Sequence, residues 1–188
     1  MDRKLRILMI HSPNTNEIKL GGCSPIENYA KKYHPIGILY AVSMIRKRFY
    51  DDVQIKVLDF SPVISEDEYI KITKDYILKF SPDIVGISSN TLTLYDAYNV
   101  AKVVKKIKSE IKIVFGGLQT SIYPDETINQ PFIDFIVLGE GEETFCELVE
   151  KFETDAVYYV KGSWSKRNGE VVKNRVRPPI QNLDSIPF

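Results

Sequence analysis

Two short apolar runs, separated by one amphipathic helical pattern, constrain the fold of this chain more than any other feature. The runs are Ile84–Ile87 and Ile111–Phe115, and each is followed at once by small or polar residues. Such runs are typical of buried parallel strands, because helices cover both faces of a parallel sheet. The carboxyl ends of neighbouring parallel strands form the ligand crevice of an open α/β sheet. The sequence therefore predicts a ligand site between residues 88 and 121.

The same alternation of strand and helix continues along the chain. Further strands are predicted at Leu5–Ile10, Val53–Leu58 and Asp134–Leu138. Five βα alternations predict an α/β fold, a doubly wound five-stranded parallel sheet with helices on both faces. We expect the flavodoxin-like (Rossmann-like) strand order 2-1-3-4-5, because right-handed crossovers limit the topology. This order places the switch point between strands 1 and 3, beside the long polar segment that follows the first strand.

The pattern changes in the last quarter of the chain. The runs Val157–Val160 and Glu170–Lys173 flank Asn168-Gly169, a dipeptide typical of tight β-hairpins. The last twelve residues are rich in proline and polar residues, as a linker is. The predicted organisation is an α/β domain over 1–154, a β-hairpin appendage over 155–176 and a linker over 177–188.

Composition excludes several classes of function. The chain has 25 Lys and Arg against 25 Asp and Glu, so it carries no electrostatic footprint for nucleic acid or an anionic membrane. No apolar run approaches the roughly 20 residues that cross a bilayer, and we expect a cytoplasmic location. Cys23 and Cys146 lie far apart, which argues against a disulfide framework or a cysteine metal site. For His11 and His34 a solvated or helix-start role is expected, because no further metal-ligating residue stands at ligand spacing beside them.

Small and polar residues at the predicted strand ends are the candidate binding residues. Hydroxyls and an amide in Ser88–Thr91 could hydrogen-bond a ligand, and Gly116-Gly117 could let it approach the main chain. The same residue types also form helix caps and tight turns, so the residues alone leave both interpretations open. Glu140 could bind a cation or a partner domain, whereas Glu142 is expected to serve as a negative charge at a helix start. Neither G-x-G-x-x-G nor a P-loop motif is found.

Five motifs follow one another along the chain. They are His34-Pro-Ile-Gly-Ile-Leu-Tyr-Ala-Val, Pro82-Asp-Ile-Val-Gly-Ile-Ser, Gly116-Gly-Leu-Gln-Thr-Ser-Ile-Tyr-Pro, Gly139-Glu-Gly-Glu-Glu-Thr and Leu183-Asp-Ser-Ile-Pro-Phe. In this order they resemble the N-terminal cobalamin-binding domain of cobalamin-dependent radical S-adenosylmethionine enzymes, and the resemblance covers nearly the whole chain. In that family the last motif leads into a radical domain with a C-x-x-x-C-x-x-C motif, which this sequence does not contain.

The resemblance implies cobalamin as the cofactor and a radical SAM catalytic domain as the partner. That separate domain would carry S-adenosylmethionine and a 4Fe-4S cluster, and the whole enzyme would be a methyltransferase or a cyclase. This chain alone is expected to bind and orient the cofactor without catalytic residues of its own. The implied cofactor-binding residues are Ser12, Pro35, Gly37, Ser88, Ser89, Asn90, Thr91, Gly116, Gly117, Gln119, Thr120, Gly139, Glu140 and Gly141.

The mode of binding follows from a departure from the wider cobalamin-binding fold. Other members carry D-x-H-x-x-G, whose histidine ligates cobalt, and this chain lacks that motif. The resemblance therefore implies base-off binding without a protein histidine ligand, with the nucleotide tail near Ser88–Thr91 and Gly116-Gly117. Substituting Gly117 by Val is predicted to block the tail and leave the fold largely intact. Two alternatives stay open: a cofactor-free interaction or regulatory module of the same fold, and a flavin domain, which the poor phosphate cradle of the first loop disfavours.

Overall fold

The computed structural model describes residues 3–15, 34–61 and 65–187. Its strands are β1 (Leu5–His11), β2 (Val53–Asp59), β3 (Ile84–Ser88), β4 (Lys112–Gly116), β5 (Phe135–Val137), β6 (Ser163–Arg167) and β7 (Glu170–Lys173). They form one sheet in the order β2-β1-β3-β4-β5-β6-β7. Strands β1 to β5 pair in parallel, so the predicted order 2-1-3-4-5 is confirmed.

Helices cover both faces of this sheet. They are α1 (Ile36–Phe49), α2 (Glu66–Phe80), α3 (Leu94–Ile107), α4 (Leu118–Ile122), α5 (Pro124–Ile128) and α6 (Glu142–Glu150). Helix α2 begins at an N-cap serine, since Ser65 Oγ accepts a hydrogen bond from the Glu68 amide at 3.3 Å. Helix α4 was not predicted, because its five residues lie inside a segment that reads as a polar turn.

The core has two layers, one on each face of the sheet. Helices α1 and α6 pack on the face that presents Ile7, Met9 and Val114. Helices α2 and α3 pack on the face that presents Leu8 and Ile10. This alternation along β1 is what a strand buried on both faces requires, because successive side chains point to opposite sides.

The C-terminal hairpin extends the same sheet. Strand β6 pairs antiparallel with β5, and β7 pairs antiparallel with β6. The predicted strand at Val157–Val160 is wrong, because Asp155–Tyr159 forms a 3₁₀ helix. Arg167 pairs directly with Glu170 across the two-residue turn Asn168-Gly169, so the first hairpin strand must end at residue 167. Both turn residues have positive φ, 53° and 85°, as a type I′ turn needs.

Among the helices described, none is both long enough and apolar enough to cross a membrane.

Candidate ligand-binding cleft

A cleft opens at the carboxyl edge of the sheet, on the face covered by α1 and α6. It encloses about 670 Å³, counting its solvent-open mouth. Strands β1, β3, β4 and β5 contribute its floor, and the first turns of α1 and α6 contribute its walls. Its apolar lining includes Met9, Ile38, Ala41, Val114, Val137 and Phe145.

The edge of the sheet beneath the cleft is even across four strands. His11 pairs in register with Asp59 on one side and with Ser88 on the other, and Ser88 pairs with Gly116. Ser88 and Gly116 line the cleft. The structure therefore brings together the two strand ends that the sequence singled out.

Three glycines leave open space where a side chain would stand. Apart from the adjoining residues of each glycine, no heavy atom of the described ranges lies within 4 Å of the position that a Cβ would take at Gly37, Gly116 or Gly139. All three line the cleft, from α1, β4 and the turn after β5. The main chain is therefore bare toward the cleft on three sides, and a bulky ligand can approach it closely.

Gly117 has a different role from Gly116. Its φ is +95°, and a Cβ there would meet the backbone of Ser89 and the hydroxyl of Ser88. The prediction that valine at this position spares the fold is therefore wrong, whereas its effect on a ligand stays a prediction. Gly117 is needed for the conformation of the turn and for its close contact with the end of β3.

The predicted site residues fall into two groups. Gly37, Ser88, Gly116, Gly117, Gly139, Glu140 and Gly141 line the cleft. The structure places the others outside its lining; they are Ser12, Pro35, Ser89, Asn90, Thr91, Gln119 and Thr120.

Several residues of the second group hold the strand ends in place. The Ser12 hydroxyl donates to the Ser88 carbonyl at 2.7 Å, and Ser12 is buried. The Thr91 hydroxyl donates to Gln119 Oε1 at 2.8 Å, which links the loop after β3 to helix α4. The Asn90 side chain accepts hydrogen bonds from the backbone amides at residues 92 and 93. These contacts fix the edge on which a ligand would rest.

Two buried polar oxygens at this edge have no hydrogen-bond partner in the part of the chain that the structure describes. They are Ser89 Oγ and Glu142 Oε2. Ser89 is 4% exposed, and Glu142 lines the cleft. Buried polar atoms are nearly always hydrogen-bonded, so Glu142 Oε2, the one of the two that belongs to the lining, is a candidate acceptor for a ligand group. The sequence predicts Glu142 only as a negative charge at a helix start and gives no signal for its place in the lining of the cleft.

The charges around the cleft are negative. Glu140 and Glu142 line it, and no Lys, Arg or His does among the residues described. His11 stands next to the cleft, and its Nδ1 lies 3.0 Å from Asp59 Oδ1. Burial raises the pKa of Asp59, but hydrogen bonds from Ser61 and the contact with His11 outweigh burial and hold this pKa below its ordinary value. Within the described ranges, no group of three His, Cys, Asp or Glu could hold a metal ion.

The family of the chain follows from comparison with known proteins. Residues 24–149 match the B12 binding domain. The chain therefore belongs to the B12-binding domain family, and the resemblance to cobalamin-binding domains is confirmed.

Individual proteins with similar sequences are methyltransferases and cyclases by name. Over 188 residues the chain is 36% identical to an uncharacterized methyltransferase, PH0819, of Pyrococcus horikoshii, covering 98% of this chain and 38% of that protein. It is 31% identical to the anaerobic magnesium-protoporphyrin IX monomethyl ester cyclase of Rubrivivax gelatinosus, covering 97% of this chain and 32% of the cyclase. The chain thus spans about a third of the length of these relatives.

Solved structures share the fold. The cobalamin-dependent S-adenosylmethionine radical enzyme OxsB, with aqua-cobalamin and S-adenosylmethionine bound, superposes with a TM-score of 0.69 at 19% identity, over 94% of this chain and 23% of OxsB. The radical S-adenosylmethionine methyltransferase TsrM of Kitasatospora setae, with cobalamin and a [4Fe-4S] cluster bound, gives 0.67 at 20% identity, over 95% of this chain and 32% of TsrM.

Proposed function

We propose that the chain binds cobalamin base-off, with no histidine ligand from the protein, as one domain of a radical SAM enzyme that transfers a methyl group. The observation that carries the proposal is the cleft at the carboxyl edge of the sheet, whose apolar interior is bordered by bare glycine backbone. In this proposal residues 1–154 hold the cofactor, and the later residues connect them to the radical SAM domain.

The residues present fit the shape and polarity of cobalamin. The nucleotide base is flat and apolar, and walls such as Ala41, Val114 and Phe145 match it. The corrin is a broad ring that needs the unobstructed edge provided by Gly37, Gly116 and Gly139. Bound cobalamin would supply the transferable methyl group, while this chain's part is to bind the corrin and fix its orientation.

The histidines support binding without a protein ligand to cobalt. No histidine lines the cleft in the described ranges, and His11, whose Nδ1 lies 3.0 Å from Asp59 Oδ1, stands outside the lining. His34 is exposed just before α1. A base-off cofactor would then have its nucleotide base inside the cleft and its lower face over the edge formed by Ser88 and Gly116.

Methyl transfer is proposed from the relatives. Besides the methyltransferase and cyclase above, the chain is 27% identical over 172 residues to the cytidylyl-2-hydroxyethylphosphonate methyltransferase of Streptomyces wedmorensis. Two of these three names are methyltransferases. The substrate radical in such a reaction would come from S-adenosylmethionine chemistry in the radical SAM domain, the proposed partner.

Equilibrium dialysis tests cofactor binding directly. We expect the purified chain to retain hydroxocobalamin and not flavin mononucleotide, because in the part of the chain that the structure describes no basic side chain lines the cleft to receive a phosphate monoester. Gly116→Val should abolish retention, because the added side chain fills open space in the cleft. Glu170→Val, an exposed substitution on β7, is the matched control and should retain cobalamin. A folded wild-type chain that retains no cobalamin would favour the cofactor-free module instead.

A further inference from the structure

Glu142 occupies a position that its helix does not explain. It is the first residue of α6, lines the cleft, and keeps Oε2 shut off from solvent without a hydrogen-bond partner. A buried carboxylate oxygen without a donor lowers stability. Its neighbour Glu143, in the same first turn, pairs with Arg48 at 3.3 Å and stays partly exposed. A favourable charge at the helix start therefore does not require the burial of Glu142.

The other carboxylate of the cleft is already in use. Glu140 Oε2 accepts a hydrogen bond from the backbone amide of Ile180 at 2.7 Å. Of the two carboxylates in the lining, Glu142 is therefore the one whose Oε2 is buried and accepts no hydrogen bond from the described part of the chain. Among the described residues no Lys, Arg or His lines the cleft to act as the complementary donor, whereas a bound ligand can bring one.

We infer that Glu142 Oε2 accepts a hydrogen bond from a neutral N–H or O–H donor of bound cobalamin, an inference that rests on the proposed function. Cobalamin has two sources of such donors, the primary carboxamides around the corrin and the hydroxyls of the nucleotide tail. An anionic group at the same place would be repelled by the Glu142 carboxylate. Glu142 is thus a specificity-determining residue that favours amide- or hydroxyl-bearing ligands over carboxylates.

If Glu142 binds the ligand in this way, Glu142→Leu should lower the affinity for cobalamin and raise the thermal stability of the ligand-free protein. Glu142→Leu removes the acceptor, and we expect cobalamin to bind about 10- to 100-fold more weakly, as for other hydrogen bonds to charged groups. The same substitution removes a carboxylate oxygen that is shut off from solvent without a partner in the described ranges, so the ligand-free variant should unfold at a higher temperature than the wild type. Glu143→Leu removes an acidic residue of the same first turn together with its ion pair to Arg48, and it should unfold at a lower temperature than the wild type. Glu142→Gln keeps an oxygen acceptor and should restore most of the affinity.

Cobinamide, which keeps the amides and lacks the nucleotide, identifies the source of the donor. If Glu142→Leu weakens cobinamide and cobalamin equally, the donor is a corrin amide; if cobinamide is unaffected, it is a tail hydroxyl. For a corrin amide, a monocarboxylic acid of cobalamin hydrolysed at that amide should bind worse than cobalamin to the wild type and equally well to Glu142→Gln.

The outcomes separate the two proposals. Wild-type affinity for cobalamin in a folded Glu142→Leu variant overturns the inference and leaves the proposed function standing. Affinity and thermal stability that both fall below the wild-type values in this variant also overturn it, because they indicate a structural role. A wild-type chain that binds no cobalamin overturns both.

Discussion

The buried carboxylate of Asp96 accepts hydrogen bonds from both the amide and the hydroxyl of Thr15, at 2.7 and 2.8 Å. Thr15 follows β1, and Asp96 lies in the first turn of α3, 81 residues later. The Tyr69 hydroxyl donates a third hydrogen bond at 3.2 Å. Asp96 is 4% exposed, so these donors provide the solvation that its charge requires.

Replacing Asp96 by Asn should therefore weaken the link between the segment after β1 and helix α3. The amide offers one acceptor oxygen where the carboxylate has two, and we expect a loss of about 1–3 kcal/mol in the free energy of unfolding. Urea denaturation measures this loss. The matched control is Asp75→Asn on the exposed face of α2, which should change stability by less than about 0.5 kcal/mol. Equal effects of the two substitutions would contradict the role of Asp96.

The raised pKa of Tyr69 predicts that the folded protein loses stability at alkaline pH. Burial is the main cause that raises its pKa to about 12, and the nearby Asp96 and Glu66 charges add to it. In the unfolded chain the pKa of tyrosine is about 10, so the unfolded state releases its proton first as the pH rises. The contribution of Tyr69 is complete below pH 10 and is lost between pH 10 and 12, by up to about 3 kcal/mol.

The substitution Tyr69→Phe isolates this effect. Urea denaturation of both proteins at pH 9, 10 and 11 should show the free energy of unfolding falling more steeply in the wild type than in the variant. Parallel curves would show that ionisation of Tyr69 is not coupled to folding.

Gly116 and Gly117 predict opposite outcomes for the same substitution. Gly117→Val places a Cβ 2.4 Å from the Ser89 carbonyl oxygen at a φ of +95°, and we expect it to cost about 2–5 kcal/mol of stability. At Gly116 a Cβ would meet no atom of the described residues within 4 Å, and Gly116→Val should change stability by less than about 1 kcal/mol. Thermal unfolding of the two variants side by side tests the contrast, which fails if their midpoints coincide.

Arg177 anchors the segment that follows the hairpin. Its Nε donates to the Thr144 hydroxyl at 3.0 Å, and its guanidinium also pairs with Glu147 and donates to the Lys161 carbonyl. Arg177→Met should release this segment, so the Ile180 amide, which donates to Glu140, should exchange with solvent at least tenfold faster.

Hydrogen exchange resolved at residues 178–186 measures the release. The exposed Arg175 offers the matched control, and Arg175→Met should leave exchange at Ile180 unchanged. Unchanged protection in Arg177→Met would show that Glu140 holds the segment without help from Arg177.

The parallel strands could be predicted because a continuous apolar run indicates a strand that is buried on both faces. Runs such as Ile84–Ile87 are apolar throughout, which only a strand covered on both faces requires. The wrong strand prediction at Val157–Val160 has a physical cause. These residues are β-branched and aromatic, as strand residues often are, but the backbone over Asp155–Tyr159 forms a 3₁₀ helix. The Tyr158 ring stacks on the Phe135 ring, with 5.8 Å between the ring centroids. The turn at Asn168-Gly169 sets the register, and a run eight or more residues before it cannot pair across a two-residue loop.

The cleft could be predicted only in part. Ser88 and Gly116 stand at strand ends, where chain direction alone brings them together. Met9, Ala41 and Phe145 carry no sequence signal for a ligand, because an apolar wall and an apolar core have the same composition. The burial of Glu142 Oε2 depends on how α6 packs beside β5, which no local pattern encodes.

The central claim is that the chain binds cobalamin base-off without a histidine ligand, and the absorption spectrum of bound methylcobalamin tests it most directly. After desalting, the proposal predicts a retained cofactor whose visible band is shifted to shorter wavelength, as it is when the free cofactor is acidified, and the same spectrum for His11→Ala. A retained base-on spectrum, a spectrum that changes in His11→Ala, or complete loss of the cofactor from folded protein would contradict the claim.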